Sequence, residues 1–273
     1  MSAQTVWAPQ PRGPVALAVA LALLACGANL ARADDRVGQQ SLNPPRGSLL
    51  VSAALAVGLD TRELGAPIAL APDAYVGVTS RLTLGLVHSG RALGLLDSRW
   101  GLCLTGRTGG CDRVVSGTGL DGWYTFLRGR GFELAARARF YAARYGDPVK
   151  LRLTLGLLGL WRVGPVALRF DPHVSVGLVN RELGNADTLN VPVHLLVGLG
   201  RHVAIYLRTG LQGTLRFFAD QYAVPLGLGV LVRPGARWEL GAQFVLRGLL
   251  GAQNTYKKRD LLFYAETRFT SFF

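Results

Sequence analysis

Between residues 132 and 178 the chain alternates apolar and polar side chains one by one, and that period constrains the fold more than any other feature. Phe132, Leu134, Ala136, Ala138, Phe140 and Ala142 oppose Glu133, Arg137, Arg139 and Tyr141. Leu151, Leu153, Leu155 and Leu157 oppose Lys150, Arg152 and Thr154, and Val166, Leu168, Phe170, Val174 and Val176 oppose Arg169, Asp171, His173 and Ser175. A repeat of two marks a strand with one apolar and one polar face. Beyond residue 36 the charge-free runs reach only about 13 residues, as in 47–59 and 188–200, whereas a membrane-spanning helix needs roughly 18 or more. The mean hydropathy is +0.26 although 17% of residues are charged. The apolar content is cut into strand-length pieces, which argues against helical spans.

The same pattern predicts about twelve strands, over 48–59, 72–80, 81–89, 118–127, 131–143, 149–162, 165–179, 189–200, 202–212, 222–233, 236–248 and 260–273. Short connections fall at Ser80-Arg81, 128–130, Val163-Gly164, Gly200-Arg201 and 233–235, and longer ones at 60–71, 90–117, 144–148, 180–188, 213–221 and 249–259. Long and short alternate, as in transmembrane barrels with an even strand count. The expected fold is all-β, a single up-and-down antiparallel transmembrane β-barrel with both termini on one side. Alternation alone does not separate an apolar face turned to lipid from one turned to a soluble core. Pro172, Pro192 and Pro225 sit inside expected strands, where a missing N–H breaks the ladder. Pro172, deepest of the three, predicts a bulge or break.

The two ends decide between lipid and core. Pro14–Ala25 is an apolar run following Arg12 and preceding Ala31-Arg32-Ala33, which reads as a secretory signal peptide over 1–33. Leu23-Leu24-Ala25-Cys26 allows a competing reading, a lipidated Cys26. Export holds either way, and residues 34–46 become a polar periplasmic lead to a barrel over 47–273. Loss of Arg12 and Arg32 takes the net charge of +13 to +11. The remaining basic residues are scattered at strand spacing, which argues against a nucleic-acid partner. At the other end Phe263, Ala265, Thr267, Phe269, Ser271 and Phe273 form an uncharged, aromatic face. With the turn phrase Val76–Gly85, the signal peptide and the closing Phe269–Phe273, the chain from Gly47 to Phe273 resembles the porin-like outer-membrane β-barrel superfamily of Gram-negative bacteria. That resemblance implies the bacterial outer membrane, periplasmic termini, an assembly signal at Phe269 and Phe273 read by the barrel-assembly machinery, and escort by periplasmic chaperones.

By parity the lumen-facing charges are Arg137, Arg139, Lys150, Arg152, Arg169, Arg208, Arg237, Arg247 and Arg268 against Glu133, Asp171, Glu239 and Glu266, with His173 beside them. Rings of Arg and Lys select anions, so the expected function is a narrow passive pore for small anionic solutes. A barrel filled by crossed Arg–carboxylate pairs, acting through its loops, is an alternative. Arg81, Arg128, Arg130, Arg162, Arg201 and Arg233 recur at the short connections and suit lipid phosphates. Lys257, Lys258 and Arg259 suit lipopolysaccharide. Trp161 and Trp238 are expected at one rim and Tyr222 and Phe263 at the other, as an aromatic girdle. Cys103 and Cys111 flank a short loop in the oxidising compartment and are expected as a disulfide. His173-Val174-Ser175 resembles the His-x-Ser of the outer-membrane phospholipase family, which makes a lipid hydrolase a further alternative. That family's pair faces lipid, whereas parity turns His173 and Ser175 to the lumen, so no catalytic residues, cofactor or metal are assigned.

Overall fold

The computed structural model describes residues 36–60, 63–88, 101–105, 115–145, 147–252 and 259–269. Calls on residues outside these ranges, among them the signal peptide, Cys26, Cys111, Lys257, Lys258 and Phe273, lie beyond the described residues.

Fifteen strands form one antiparallel sheet that closes on itself. They are β1 (Leu49–Asp60), β2 (Glu63–Gly77), β3 (Leu82–Val87), β4 (Gly101–Cys103), β5 (Val115–Ser116), β6 (Thr118–Gly129), β7 (Phe132–Arg144), β8 (Lys150–Val163), β9 (Val166–Phe170), β10 (His173–Gly177), β11 (Thr188–Gly198), β12 (Val203–Thr214), β13 (Ala223–Gly235), β14 (Trp238–Gly251) and β15 (Arg259–Phe269). β4 and β5 pair with each other and carry the wall upward beside β2. β9 and β10 are two halves of one stave, each paired with β8 and β11. Counted as staves, the barrel has twelve strands. β1 closes it against β15, from Leu49 opposite Phe269 to Gly58 opposite Asp260.

The inward face is buried and polar, and the outward face is apolar and exposed. On β7 Glu133, Ala135, Arg137, Arg139 and Tyr141 are buried, while Phe140 between them is 46% exposed. Leu84, Leu120, Leu155, Leu157, Ile205, Leu207, Leu228, Phe244 and Phe263 are likewise exposed on neighbouring staves. A belt of that kind far exceeds the apolar patches of a few hundred Å² that soluble proteins tolerate. It is the surface of a transmembrane barrel, where an Arg or Lys at mid-depth costs about 2–4 kcal/mol.

Two expectations change. The connection expected over 60–71 is strand: β1 and β2 form a tight hairpin with Asp60 opposite Glu63. Pro67 and Pro72 hide that strand in the sequence, yet Pro72 pairs with Ala53 in register. Phe263 lies in mid-wall, opposite Leu55 and Ala242, because its outward parity carries it into the apolar belt and not to the rim. Trp161 and Trp238 stand exposed beside the short turns.

The stave through Pro172 breaks where a missing donor requires. The Asp171 N–H donates to Pro192 O (3.1 Å) and the Leu157 N–H to Pro172 O (3.0 Å), so register survives the break. Pro192 in turn pairs with Gly210, whose φ of +152° departs from ordinary strand geometry. Pro225 sits in a register shift between Val224 and Leu226. The ladders are interrupted at Pro172 and Pro225, while Pro192 keeps its register with β12, and Pro192 and Pro225 line the upper lumen.

Candidate functional site: the lumen and its neck

The lower lumen, at the end with the short turns, is crossed by residues 36–48. This strap has no regular structure because Gly38 holds φ at +72° and Pro44-Pro45 offers no N–H. It starts where the Val37 N–H donates to Arg201 O (3.3 Å), in the β11–β12 turn, and ends where the Gly47 N–H donates to Gly77 O (2.8 Å), at the end of β2. Those two points lie on opposite sides of the barrel, so the strap runs along a diameter. The wall is shaped for it: a Cβ on Gly77 would stand 2.2 Å from Pro45 O, and one on Gly38 would stand 2.6 Å from Leu196 Cδ2.

Glu133 is the main anchor. Its Oε2 accepts from the Leu42 N–H (3.0 Å) and Ser41 Oγ (2.8 Å), and its Oε1 accepts from Arg162 Nη2 (2.7 Å). Arg162 Nη1 donates to Gln39 O (3.0 Å), so one buried ion pair grips the strap at three residues. Trp123 Nε1 donates to Leu42 O (3.1 Å), Asn43 Nδ2 donates to Thr83 Oγ1 (2.9 Å), and Thr125 Oγ1 donates to Asn43 Oδ1. Gln40 Nε2 donates to Glu239 Oε2 (2.5 Å), and Arg169 Nη2 donates to Gln40 O (3.3 Å). Hydrogen bonds to charged groups contribute about 1.5–3 kcal/mol each, so the strap is held firmly. An apolar cushion of Leu158, Leu160, Leu196 and Leu231 clusters with Val37, and none of the five is more than 2% exposed.

Above the strap, Asp121 receives Arg137 Nε (2.9 Å) and Nη2 (2.5 Å) and Arg139 Nη2 (2.7 Å). Arg137 Nη1 donates to Asp171 Oδ2 (2.5 Å). This belt ties β6, β7 and the broken stave together. It also holds two of the expected lumen arginines in place.

Three cavities follow one another along the axis. The upper vestibule, of about 370 Å³, is lined by Arg137, Arg139, Arg152 and Arg208 with His173, Ser175 and Asn190, and no carboxylate among the described residues lines it. A neck of about 70 Å³ lies between the strap (Gln40, Ser41, Leu42, Pro44) and a wall that includes Tyr75, Trp123, Arg137 and Arg169. The lower mouth, of about 420 Å³, is bounded by Arg201, Arg233 and Arg237. Arg137 borders vestibule and neck alike, and Gln40, Glu239, Glu266 and Arg268 border neck and mouth alike. The neck therefore has both signs of charge on its lining, whereas the charged groups lining the vestibule among the described residues are arginines, with Asp121 and Asp171 set behind Arg137 and Arg139.

The expected lumen residues sort by height. Arg152, His173 and Arg208 reach the vestibule, while Arg169, Glu239, Glu266 and Arg268 reach the neck. Arg247 forms an ion pair with Asp260, and Lys150 pairs in register with Arg144 at the upper end of the wall. Arg237 is exposed in the β13–β14 turn and borders the mouth. Sequence parity missed the inward carboxylates Asp73, Asp121 and Asp260, all buried. It also missed the strap, whose signal is present: Leu158, Leu160, Leu196 and Leu231 break the polar rule on the lumen face, and such a surface needs a cover.

The remaining candidates fall as follows. Ser175 Oγ pairs with Thr154 Oγ1 (2.7 Å) across the strand, and His173 Nδ1 lies 2.8 Å from Asp171 O. No nucleophile–base contact forms between His173 and Ser175. Cys103 closes β4, with Sγ 3.6 Å from Thr105 Oγ1. Phe269 ends β15, exposed.

No protein-family model matches the sequence, and no curated protein matches it. Solved structures do match in shape. A structure described as the KdgM porin aligns with a TM-score of 0.53 at 7% identity, covering 81% of this chain and 99% of that one. The same porin in complex with disordered oligogalacturonate aligns with a TM-score of 0.53 at 8% identity, over 81% and 99%. A NanC porin structure aligns with a TM-score of 0.55 at 6% identity, over 80% and 98%. The chain shares the porin-like outer-membrane barrel fold.

Proposed function

We propose that this chain is a non-enzymatic passive pore of the bacterial outer membrane, narrow and selective for small anionic solutes. The observation that carries the reading is the vestibule, where Arg152 and Arg208 join Arg137 and Arg139, the latter two paired from behind with Asp121 and Asp171, and where no carboxylate among the described residues lines the space. Fixed cationic groups in a confined, partly desolvated lumen concentrate anions and repel cations. Shared lining residues, Arg137 between vestibule and neck and Gln40, Glu239, Glu266 and Arg268 between neck and mouth, fit a route along the axis with the neck of about 70 Å³ as its narrowest place. The likeness in fold to a porin solved with oligogalacturonate agrees with an acidic sugar or a similar carboxylate as the solute class.

In this reading the short turns and both termini lie in the periplasm, following removal of residues 1–33. Arg81 and Arg130 meet inner-leaflet phosphates, whereas Arg128 turns inward to Ser41 and Glu133 and Arg201 borders the mouth; lipopolysaccharide surrounds the opposite rim. Cys103 pairs with Cys111 to stiffen an external loop. Periplasmic chaperones deliver the chain, and the barrel-assembly machinery reads Phe269 to Phe273.

Liposome swelling tests the reading. Vesicles carrying the refolded mature chain are expected to admit a monosaccharide carboxylate faster than the neutral sugar of the same size. Equal rates for the two, or faster entry of a cationic amino sugar, would contradict it.

A further inference from the structure

We propose that residues 36–48 are a permanent wall of the pore, and that the strap sets the size limit of the neck with Gln40 at its edge. The inference rests on the pore reading and adds what determines its cut-off. Two arrangements could place a segment across a barrel: a plug that must leave before anything passes, or a partition that narrows the passage and stays.

The strap's two sides distinguish them. Toward β3, β6, β7 and β8 it is bonded throughout, through Glu133, Arg162, Trp123, Thr83 and Thr125. Toward β14 and β15 it makes one side-chain bond, Gln40 to Glu239, and there it borders the neck. A removable plug would need weak attachment all round. This segment is fused to one half of the wall, and the neck beside it is lined by Leu50, Glu239, Tyr264, Glu266 and Arg268 of the other half, with Trp123 and Arg137 at its edge. Withdrawal would also strip the cover from Leu196 and Leu231, which lie against Gly38, and expose their side chains to lumen water.

Gln40 borders neck and mouth together, so a group attached there must stand in the solute path. The test uses Gln40→Cys in the full mature chain, refolded in a planar bilayer, with the wild-type chain treated identically. Covalent modification by a methanethiosulfonate reagent is expected to cut single-channel conductance about twofold or more in the variant, and a bulkier reagent to cut it further. The wild-type current is expected to hold. An unchanged current in a fully modified variant overturns the proposal.

A second variant, lacking residues 36–46, is expected to conduct about twofold or more above wild type and to admit larger solutes. Equal conductance overturns the strap's role and leaves the pore reading standing. A silent wild type beside a conducting deletion variant means a sealing plug and overturns the permanent-wall proposal. Silence in both, with folded barrels, overturns the pore reading and the inference with it. If the deletion variant does not fold, the Gln40→Cys result decides alone.

Discussion

The lower and upper halves of the lumen are built on different physical terms. At the level of the strap, the leucine cushion and the Glu133–Arg162 pair make a densely bonded interior like the core of a soluble domain. Above, arginines line a space with no carboxylate among its described lining residues. The same stave serves both: β8 presents Leu158, Leu160 and Arg162 below and Arg152 and Thr154 above. A barrel of twelve staves is too wide to be filled by its own side chains, since about eight is the number that fills. This chain fills one half with a segment of itself and leaves the other half for solvent. Stability is concentrated where the barrel is filled, and the proposed selectivity rests on where it is open.

That division can be broken most directly at Glu133. Glu133→Ala leaves the Arg162 guanidinium buried without its carboxylate and frees the Leu42 N–H. Removing one partner of a buried pair costs about 3–5 kcal/mol, so urea unfolding of the refolded barrel should shift by that order. Glu133→Gln, which keeps the shape and an acceptor, should recover part of it. Next comes the cushion. Leu196→Ala opens a cavity under the strap and should cost about 2–5 kcal/mol, while leaving ion preference unchanged.

In the upper half the signs reverse. Arg208→Ala combined with Arg152→Ala should cost less stability than Glu133→Ala, because Arg152 gives up one hydrogen bond to a neutral acceptor, Asn185 Oδ1 (2.8 Å), and both side chains line the vestibule. The pair should nonetheless lower the chloride-to-potassium permeability ratio, read from reversal potentials. A large stability loss here would erase the contrast between the halves. The smallest effect is that of salt. The Debye length falls from about 10 Å at 0.1 M to about 3 Å at 1 M, so anion preference should weaken as KCl is raised, whereas the unfolding of the strap-bound half should hardly move.

Much of this was legible in the residues. Strand positions and facing follow from a period of two, and ten of the expected lumen charges needed no more than parity to be placed near the axis: Glu133, Arg137, Arg139, Arg152, Arg169, Asp171, Arg208, Glu239, Glu266 and Arg268. The first part of β2, residues 63–71, was not legible, because Pro67 reads as a breaker and its alanines give little contrast between faces. The strap was not legible either. An irregular segment carries no period, and Gln39 to Asn43 look like any polar leader. Its position depends on contacts across more than 80 residues of sequence, such as Leu42 to Glu133 and Leu42 to Trp123. Only the inward leucines announced that something must lie over them.

Single-channel recording of the refolded mature chain under a KCl gradient tests the central claim most directly. The account predicts small discrete steps whose reversal potential shows chloride preference, because the vestibule arginines meet the permeating ion before the mixed-charge neck does. A cation-selective reversal potential, or a folded barrel that stays silent, would contradict it.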